Sequence, residues 1–245
     1  MDLSLYYDDA YAPYTRIPVS EEMRERVARE SRGLLQLVDE NKERFLAELP
    51  WEGLRVVELG GGLGGLGLQL ARRGARVTVV DISPNALTVA RALAKAEGLE
   101  IETLCMDLGR PDAQLSGEYD LMIDSHLLHC LPLEPQRLSY LLLVRQHLAP
   151  HGILVGETMV HRKKLFIPPG YMLDQNNILW QMFAQWVPVR KISDSLVLED
   201  ELKNAGLNIH FFYYYANYAM APSPDFWDIP NDILPASVRF ALKKA

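Results

Sequence analysis

The sequence predicts an α/β fold, a doubly wound and mostly parallel seven-stranded sheet with an antiparallel edge strand and helices on both faces. Three observations carry that prediction. Between residues 54 and 155, short runs rich in β-branched residues alternate with segments of helical periodicity, the pattern of βαβ units with right-handed crossovers. Two further strand-like runs, 208–215 and 237–242, follow with no helix-length crossover between them, so they pair antiparallel at a sheet edge. Apolar residues make up 49% of the 245, enough for one domain with a real core and too many for a disordered chain.

Residues 1–19 carry Tyr6, Tyr7, Tyr11 and Tyr14 with two prolines, which reads as a poor helix and an aromatic flap. A single helix is expected over 20–50: Ser20 caps it, Glu21 and Glu22 favour its positive end, and Pro50 stops it. Its apolar positions, from Met23 and Val27 through Leu34, Leu35 and Val38 to Phe45 and Leu46, recur at near-helical spacing. Residues 54–59 form a strand, followed by a glycine-rich turn and a helix that Gly74 closes. Residues 77–80 form the second strand, and Ser83 with Pro84 begins a helix that ends at Gly98. Strands at 100–105, 119–123 and 153–155 follow, the last two separated by a helix over about 134–148. Residues 158–195 break this rhythm with five large aromatics and three prolines, and read as an inserted cap. A helix over 196–205 with Gly206 as its cap restores the pattern, and 222–230 reads as loop. The expected organisation is one domain, 1–245: an N-terminal flap and helix (1–50), a ligand-binding core (51–157), an inserted lid (158–195), and a closing helix and strand pair (196–245).

Charge and cysteine content remove several function classes. Twenty-five basic against 32 acidic residues leave a net charge of −7, which argues against a general nucleic-acid binder, since phosphate contacts need clustered Lys and Arg. Cys105 and Cys130 cannot build a disulfide scaffold or a four-thiolate metal site. Each is expected reduced in an apolar interior, which points to a cytoplasmic protein. Residues 1–9 have neither a basic n-region nor an apolar h-region, so no signal peptide is expected. Apolar runs such as 140–144 are cut short, here by Arg145, and no membrane span is expected.

Six of the 16 glycines crowd into positions 60–67, just after a strand and just before a helix. Glycine there turns the backbone tightly and lets a ligand approach it. In an open parallel sheet the ligand crevice lies beyond the carboxyl ends of the strands. Gly60-x-Gly62-x-x-Gly65 satisfies the dinucleotide fingerprint, and Asp81 ends the second strand where a ribose-binding acid belongs. Glu58 shifts the balance, because a carboxylate at the mouth of the turn repels pyrophosphate and attracts an ammonium group. Asp107, past the third strand, offers an acceptor for an exocyclic amino group such as adenine N6. The run from Asp81 to the fourth strand holds only one helix and one strand, which leaves no second catalytic domain.

Val57-Glu58-Leu59-Gly60-Gly61-Gly62-Leu63-Gly64, with Asp81, Asp107 and the acid-ended fourth strand Tyr119-Asp120-Leu121-Met122-Ile123-Asp124, resembles the class I S-adenosylmethionine-dependent methyltransferases of Rossmann-like fold. The resemblance implies S-adenosylmethionine as cofactor. Gly60, Gly61, Gly62 and Gly64 would lie against its methionine part, with Glu58 near the ammonium. Asp81 would hold the ribose hydroxyls and Ile82 would pack on adenine. Asp107, with the backbone of Met106 or Leu108, would read the adenine amino edge, and Asp124 and Ser125 would face the methionine side. Asp120 is expected to be solvated or to cap a helix.

The stretch after the fourth strand is where that family lines its active site. His126 and His129 are three apart and would share a face on a helical turn. Either is a candidate catalytic base or a donor that orients an acceptor oxygen. Zinc ligation is a further reading but lacks a third ligand, and packing beneath the cofactor is the bland one. Asp124-Ser125-His126-Leu127 lacks the proline-proline-aromatic clamp of nucleobase amino-methyltransferases, so DNA methylation is not expected. Arg162-Lys163-Lys164 reads either as an attractor of acidic substrates or as a solvated loop. The leading expectation is methyl transfer to a small-molecule acceptor through O or N, with no metal, no nucleic-acid or membrane partner, and a homodimer left open. A protein methyltransferase, an NAD-dependent oxidoreductase and a catalytically idle cofactor-binding module are the alternatives.

Overall fold

The computed structural model describes residues 3–219, 224–226 and 228–245, and the side chains of 216–219 and 224 are not among those described. Residues 222, 223 and 227 of the loop expected over 222–230 lie outside the described residues; its described parts include the 3-10 turn Pro224–Phe226.

Helix α1 (Leu3–Tyr11) opens the chain and runs into a 3-10 turn, Ala12–Arg16. The expectation of a poor helix here is corrected. The helix has no fully buried residue, so tertiary contacts of its Asp8 and tyrosines hold it rather than its own propensity. The single helix expected over 20–50 is two, α2 (Glu21–Glu30) and α3 (Arg32–Phe45). They part at Ser31, whose Oγ donates to the Val27 carbonyl at 3.0 Å and accepts from Gln69 Nε2 at 2.8 Å. A serine hydroxyl that bonds back four residues competes with the helix ladder and bends it. Ser20 does cap α2, accepting from the Met23 amide at 3.1 Å.

The alternating core follows: β1 (Arg55–Leu59), α4 (Gly65–Ala71), β2 (Arg76–Asp81), α5 (Pro84–Ala96), β3 (Glu102–Cys105), β4 (Tyr119–Ser125), α6 (Glu134–His147) and β5 (Leu148–Val160). Three strands then form a separate antiparallel sheet, β6 (Tyr171–Leu173), β7 (Ile178–Met182) and β8 (Trp186–Lys191), within the segment expected as a cap. Helix α7 (Ser195–Asn204) leads to β9 (Leu207–Ala219) and β10 (Ala236–Lys244).

The large sheet has seven strands in the order β3-β2-β1-β4-β5-β10-β9, with β10 antiparallel to both of its neighbours. The two closing strands are thus an antiparallel pair at one end of a parallel sheet. Strand residues alternate between its two faces. Val56, Leu121, Ile123 and Val155 pack with α3 and α4, whereas Val57, Leu59, Met122 and Leu154 pack with α6 and α7. Sheet order reverses between β1 and β4, which places the crevice at the carboxyl end of β1.

Two local expectations change. Cys105 is exposed rather than interior because β3 is an edge strand, and Cys130 is half-buried; both thiols are free. Asp120 neither caps a helix nor stands solvated: its Oδ2 accepts from the Arg55 amide at 2.9 Å and its Oδ1 pairs with His151 Nε2 at 2.6 Å. No helix among the described residues is long and apolar enough to cross a membrane.

Candidate active site

The glycine turn is built by left-handed backbone at Gly60 (φ 68°), Gly62 (φ 53°) and Gly64 (φ 71°), a region side-chain-bearing residues rarely adopt. The amides of Gly60 and Gly61 donate to the Val80 carbonyl at 2.8 and 3.0 Å, closing the turn against the end of β2. Two carboxylates hold its flanks. Glu58 Oε2 accepts from the Gly67 amide at 2.8 Å, and Asp81 accepts from the amides of Gly62 at 2.8 Å and Ser83 at 2.9 Å. Burial drives the Glu58 pKa up to about 7 against the help of Gly67 and Ser125, and burial raises Asp81 as well. Each carboxylate keeps lone pairs beyond those the backbone occupies.

A cavity of about 650 Å³ opens over this turn, within the roughly 300–1,000 Å³ of small-molecule sites. Its walls include Glu58, Gly60, Gly61, Gly62, Asp81 and Ile82, and, further along, Met106, Asp107, Leu108 and Ser125. The structure therefore brings ten of the expected cofactor positions to one cavity. Two are not among its lining. Gly64 turns toward α5, where a Cβ would stand 3.2 Å from Ala90. Asp124 is fully buried beneath the floor, where it accepts from the Leu127 amide at 2.8 Å, the Leu128 amide and the Tyr140 hydroxyl at 2.8 Å. A strand-end acid can cap the next turn from below as easily as face a ligand, and here it caps.

That cap shapes the expected catalytic pair. The chain leaves β4 through His126 with φ 65°, uncommon for a residue with a side chain, and enters the 3-10 turn Leu128–Cys130. His126 and His129 do not share a helix, yet both line the cavity with ring centroids 6.3 Å apart. His126 is partly exposed and its Nε2 lies 3.4 Å from Glu157 Oε2. Glu157, at 1% exposure, also accepts from Arg239 Nε at 3.0 Å. Burial works against its charge, but His126 and Arg239 outweigh burial and lower its pKa.

His129 is different. Its Nδ1 accepts from the Met159 amide at 3.3 Å and meets Thr158 Oγ1 at 3.2 Å. An Nδ1 that accepts leaves the ring proton on Nε2. Burial, then the charges of Arg190, His126 and Arg137, push the His129 pKa well below the usual histidine range. His129 is thus a neutral donor, whereas His126 is the more exposed imidazole of the two.

The opposite wall comes from α1 and the small sheet, and it contains residues no motif indicated. Asp8 accepts from Ser83 Oγ at 2.7 Å and from the Asn85 amide at 2.9 Å, tying α1 to the start of α5. The Tyr11 hydroxyl sits 2.7 Å from where a Gly62 Cβ would stand. Tyr7 accepts from Arg190 Nη1 and lies under its guanidinium, 5.4 Å from ring to Cζ. The tyrosine-rich start and the aromatic 158–195 segment were the available signals; they indicated a cover without naming its contacts. The basic run is no part of this wall: Lys163 and Lys164 are exposed in the loop after β5. Among the described residues no group of three or more His, Cys, Asp or Glu side chains is arranged to hold a metal ion.

Residues 56–152 match the protein family described as "Methyltransferase domain". A "Ubiquinone biosynthesis O-methyltransferase" of Cereibacter sphaeroides is 32% identical over 132 residues, 54% of this chain and 51% of that protein. The chain spans about half the length of the curated relatives it matches. Among solved structures, an S-adenosylmethionine-dependent methyltransferase from Clostridium acetobutylicum superposes with TM-score 0.63 at 15% identity, covering 86% of this chain and 90% of that one. The magnesium protoporphyrin IX methyltransferase of Synechocystis, solved with S-adenosylmethionine bound, covers 100% of this chain and 98% of its own at TM-score 0.58 and 18% identity. At such identities the two structures speak for the fold alone.

Proposed function

We propose that this chain, whose residues 56–152 match a methyltransferase domain, is a class I S-adenosylmethionine-dependent methyltransferase that transfers a methyl group to a small-molecule acceptor. The observation that carries this reading is the single cavity in which the glycine turn, two buried carboxylates and an imidazole–carboxylate pair converge. Gly60, Gly61 and Gly62 line the cavity. A Cβ would come within 2.9 Å of Leu127 at Gly60, 2.6 Å of Val79 at Gly61 and 2.7 Å of Tyr11 at Gly62, so packing leaves room for glycine alone there. S-adenosylmethionine supplies an electrophilic methyl group on a cationic sulfur that departs as a neutral thioether.

The chain's residues do the rest. Glu58 draws the ammonium end, Asp81 accepts from the ribose hydroxyls through its remaining lone pairs, and Ile82, Met106, Asp107 and Leu108 surround the adenine. Glu157, held by Arg239, orients His126 through Nε2 and leaves Nδ1 to take the proton of an acceptor hydroxyl. His129, with its proton on Nε2, donates to the acceptor oxygen. Helix α1 and the small sheet act as the lid that excludes water, so alignment contributes much of the rate. A cavity covered by α1 favours a small molecule over a polypeptide. Two free thiols suit a reducing compartment, and the cytoplasm is the proposed location.

Titration with S-adenosylmethionine and S-adenosylhomocysteine tests the reading, and absence of binding by both would overturn it. Labelled-methyl transfer in a cell extract, separated into protein and small-molecule fractions, tests the acceptor class; label in protein alone would move the assignment to a protein methyltransferase.

A further inference from the structure

Helix α1 brings to the cavity a polar group that none of the cofactor contacts above employs, the hydroxyl of Tyr11. Three tyrosines line the cavity, Tyr7, Tyr11 and Tyr14. Two of their hydroxyls are engaged: Tyr7 accepts from Arg190, and Tyr14 accepts from Arg26 Nη2 at 3.1 Å. Tyr11 is half-buried, and its ring lies 6.3 Å from that of Tyr14. Among the described residues its hydroxyl makes no hydrogen bond. Tyrosine hydroxyls taken out of water are as a rule bonded, so this one is set to meet a group that enters the cavity.

Two anchors within the preceding turn of α1 fix where it points. Tyr7, four residues earlier and on the same face, is the one held by Arg190. Asp8, three residues earlier, accepts from Ser83 Oγ at 2.7 Å. Ser83 is shared, because its amide donates to Asp81 Oδ1 at 2.9 Å. Helix α1 is therefore docked on the turn that carries the expected ribose acid. The Tyr11 hydroxyl stands 2.7 Å from where a Gly62 Cβ would be, and the Gly62 amide donates to Asp81 Oδ2 at 2.8 Å. Burial raises the Tyr11 pKa, and of the surrounding charges Asp81 raises it most. Tyr11 is thus a protonated donor in the field of Asp81, without bonding to it.

A ribose hydroxyl joins such a pair. Its O–H donates to the carboxylate, and its oxygen keeps lone pairs that accept from the phenol. Each bond in that chain is strengthened by the charge at its end.

We propose that Tyr11 is a cofactor-binding residue, donating to a ribose hydroxyl that in turn donates to Asp81, so that the bound nucleoside itself fastens α1 over the cavity. This rests on the methyltransferase reading for the identity of the cofactor, but not for the ribose contact, which any adenine nucleoside can make. The free protein loses nothing when the Tyr11 oxygen is removed, whereas the complex loses one hydrogen bond.

The test compares S-adenosylhomocysteine, adenosine and 2′,3′-dideoxyadenosine on the full chain, wild type and Tyr11→Phe. Affinities are followed by ligand-detected magnetic resonance, and the melting temperature of each ligand-free protein is measured beside them. Tyr11→Phe is expected to weaken S-adenosylhomocysteine and adenosine by roughly three- to tenfold, the range of one neutral hydrogen bond. Dideoxyadenosine, which lacks both ribose hydroxyls, should bind the two proteins alike, and the melting temperature should not move. By reciprocity, S-adenosylhomocysteine should slow amide exchange of residues 3–11 more in the wild type than in Tyr11→Phe, by a similar factor. A loss smaller than roughly threefold for both ribose-bearing ligands overturns the proposal. An equal loss for dideoxyadenosine also overturns it, as does a loss accompanied by a fall in the melting temperature, the mark of a tyrosine that only supports the fold. If S-adenosylhomocysteine fails to bind the wild type while adenosine binds and depends on Tyr11, the methyltransferase reading falls and the ribose contact stands. A wild-type protein that binds neither overturns both.

Discussion

Helix α1 covers the cavity without burying a residue fully, so a few polar contacts decide whether it stays docked. Asp8 makes most of them. Its Oδ1 accepts from Ser83 Oγ at 2.7 Å and from the Asn85 amide at 2.9 Å, and its Oδ2 accepts from Asn85 Nδ2 at 3.0 Å. Hydrogen bonds to a charged group contribute about 1.5–3 kcal/mol each, but they share one carboxylate and water replaces part of the loss. A net cost of about 2 kcal/mol for Asp8→Ala is the reasonable figure, which is roughly a 30-fold shift in the docking equilibrium. A nine-residue helix is marginal alone, so undocking also unwinds it. Amide hydrogen exchange followed by mass spectrometry should show residues 3–11 exchanging roughly 30-fold faster. Strands β1 and β4 should be unchanged, because Ser83 still caps α5 by accepting from the Ala86 amide at 3.0 Å. Asp8→Asn keeps an acceptor oxygen and should lie between the two. Exchange in α1 that stays within threefold of wild type, or that rises together with the core strands, would refute the docking role of Asp8.

Other expectations concern the floor and the flanks of the site. Burial raises the Glu58 pKa to about 7 from its ordinary 4.5, so the free protein binds an extra proton in this window and loses stability as pH rises from 4.5 to 7. A ligand ammonium favours the ionised form. Calorimetry should therefore show S-adenosylhomocysteine binding more tightly as pH approaches 7, by up to about tenfold per pH unit, and methylthioadenosine, which lacks the amino-acid part, showing no such rise. Asp81→Ala should weaken S-adenosylhomocysteine and adenosine alike by roughly 10- to 150-fold, the equivalent of about 1.5–3 kcal/mol; unchanged affinity would reject the ribose assignment. Arg137, at 3% exposure, makes two bonds of 2.6 Å to Glu201 and donates to the Leu128 carbonyl at the turn that carries His129. Arg137→Met strands these partners and should cost about 3–5 kcal/mol, lowering the melting temperature by roughly 10 °C; a second change, Glu201→Leu, should restore part of it.

The parts of this protein that were legible in its sequence are those made by neighbours in the chain. Residues 54–59 and 77–80 read as buried strands because β-branched runs have few other uses. The glycine turn read correctly because its left-handed positions admit little else. The position of Asp81 was legible because it is the residue at which a strand meets the same turn. Where local reading failed, a contact across the fold had overridden it. The propensity of residues 3–11 is poor, yet Asp8 finds Asn85, 77 positions away, and the helix forms. Gly64 and Asp124 belong to the recognisable motifs, but a motif does not tell which side of the sheet edge a side chain takes. One turns to Ala90 and the other caps from beneath.

The same distinction divides the site itself. Everything expected to touch the cofactor lies on β1, β2 and the end of β4 and in the loops after β1, β2 and β3, four neighbouring strand ends of one parallel sheet. The acceptor's side is assembled from α1, the turn after β4, the end of β5 and the small sheet. Its key pairs are far apart in the chain: His126 and Glu157 by 31 positions, Tyr7 and Arg190 by 183. No contiguous motif can encode such a wall, and each of its segments can change without disturbing the strand order beneath. The cofactor's half is thus constrained by the fold, whereas the acceptor's half is constrained only by what it must hold.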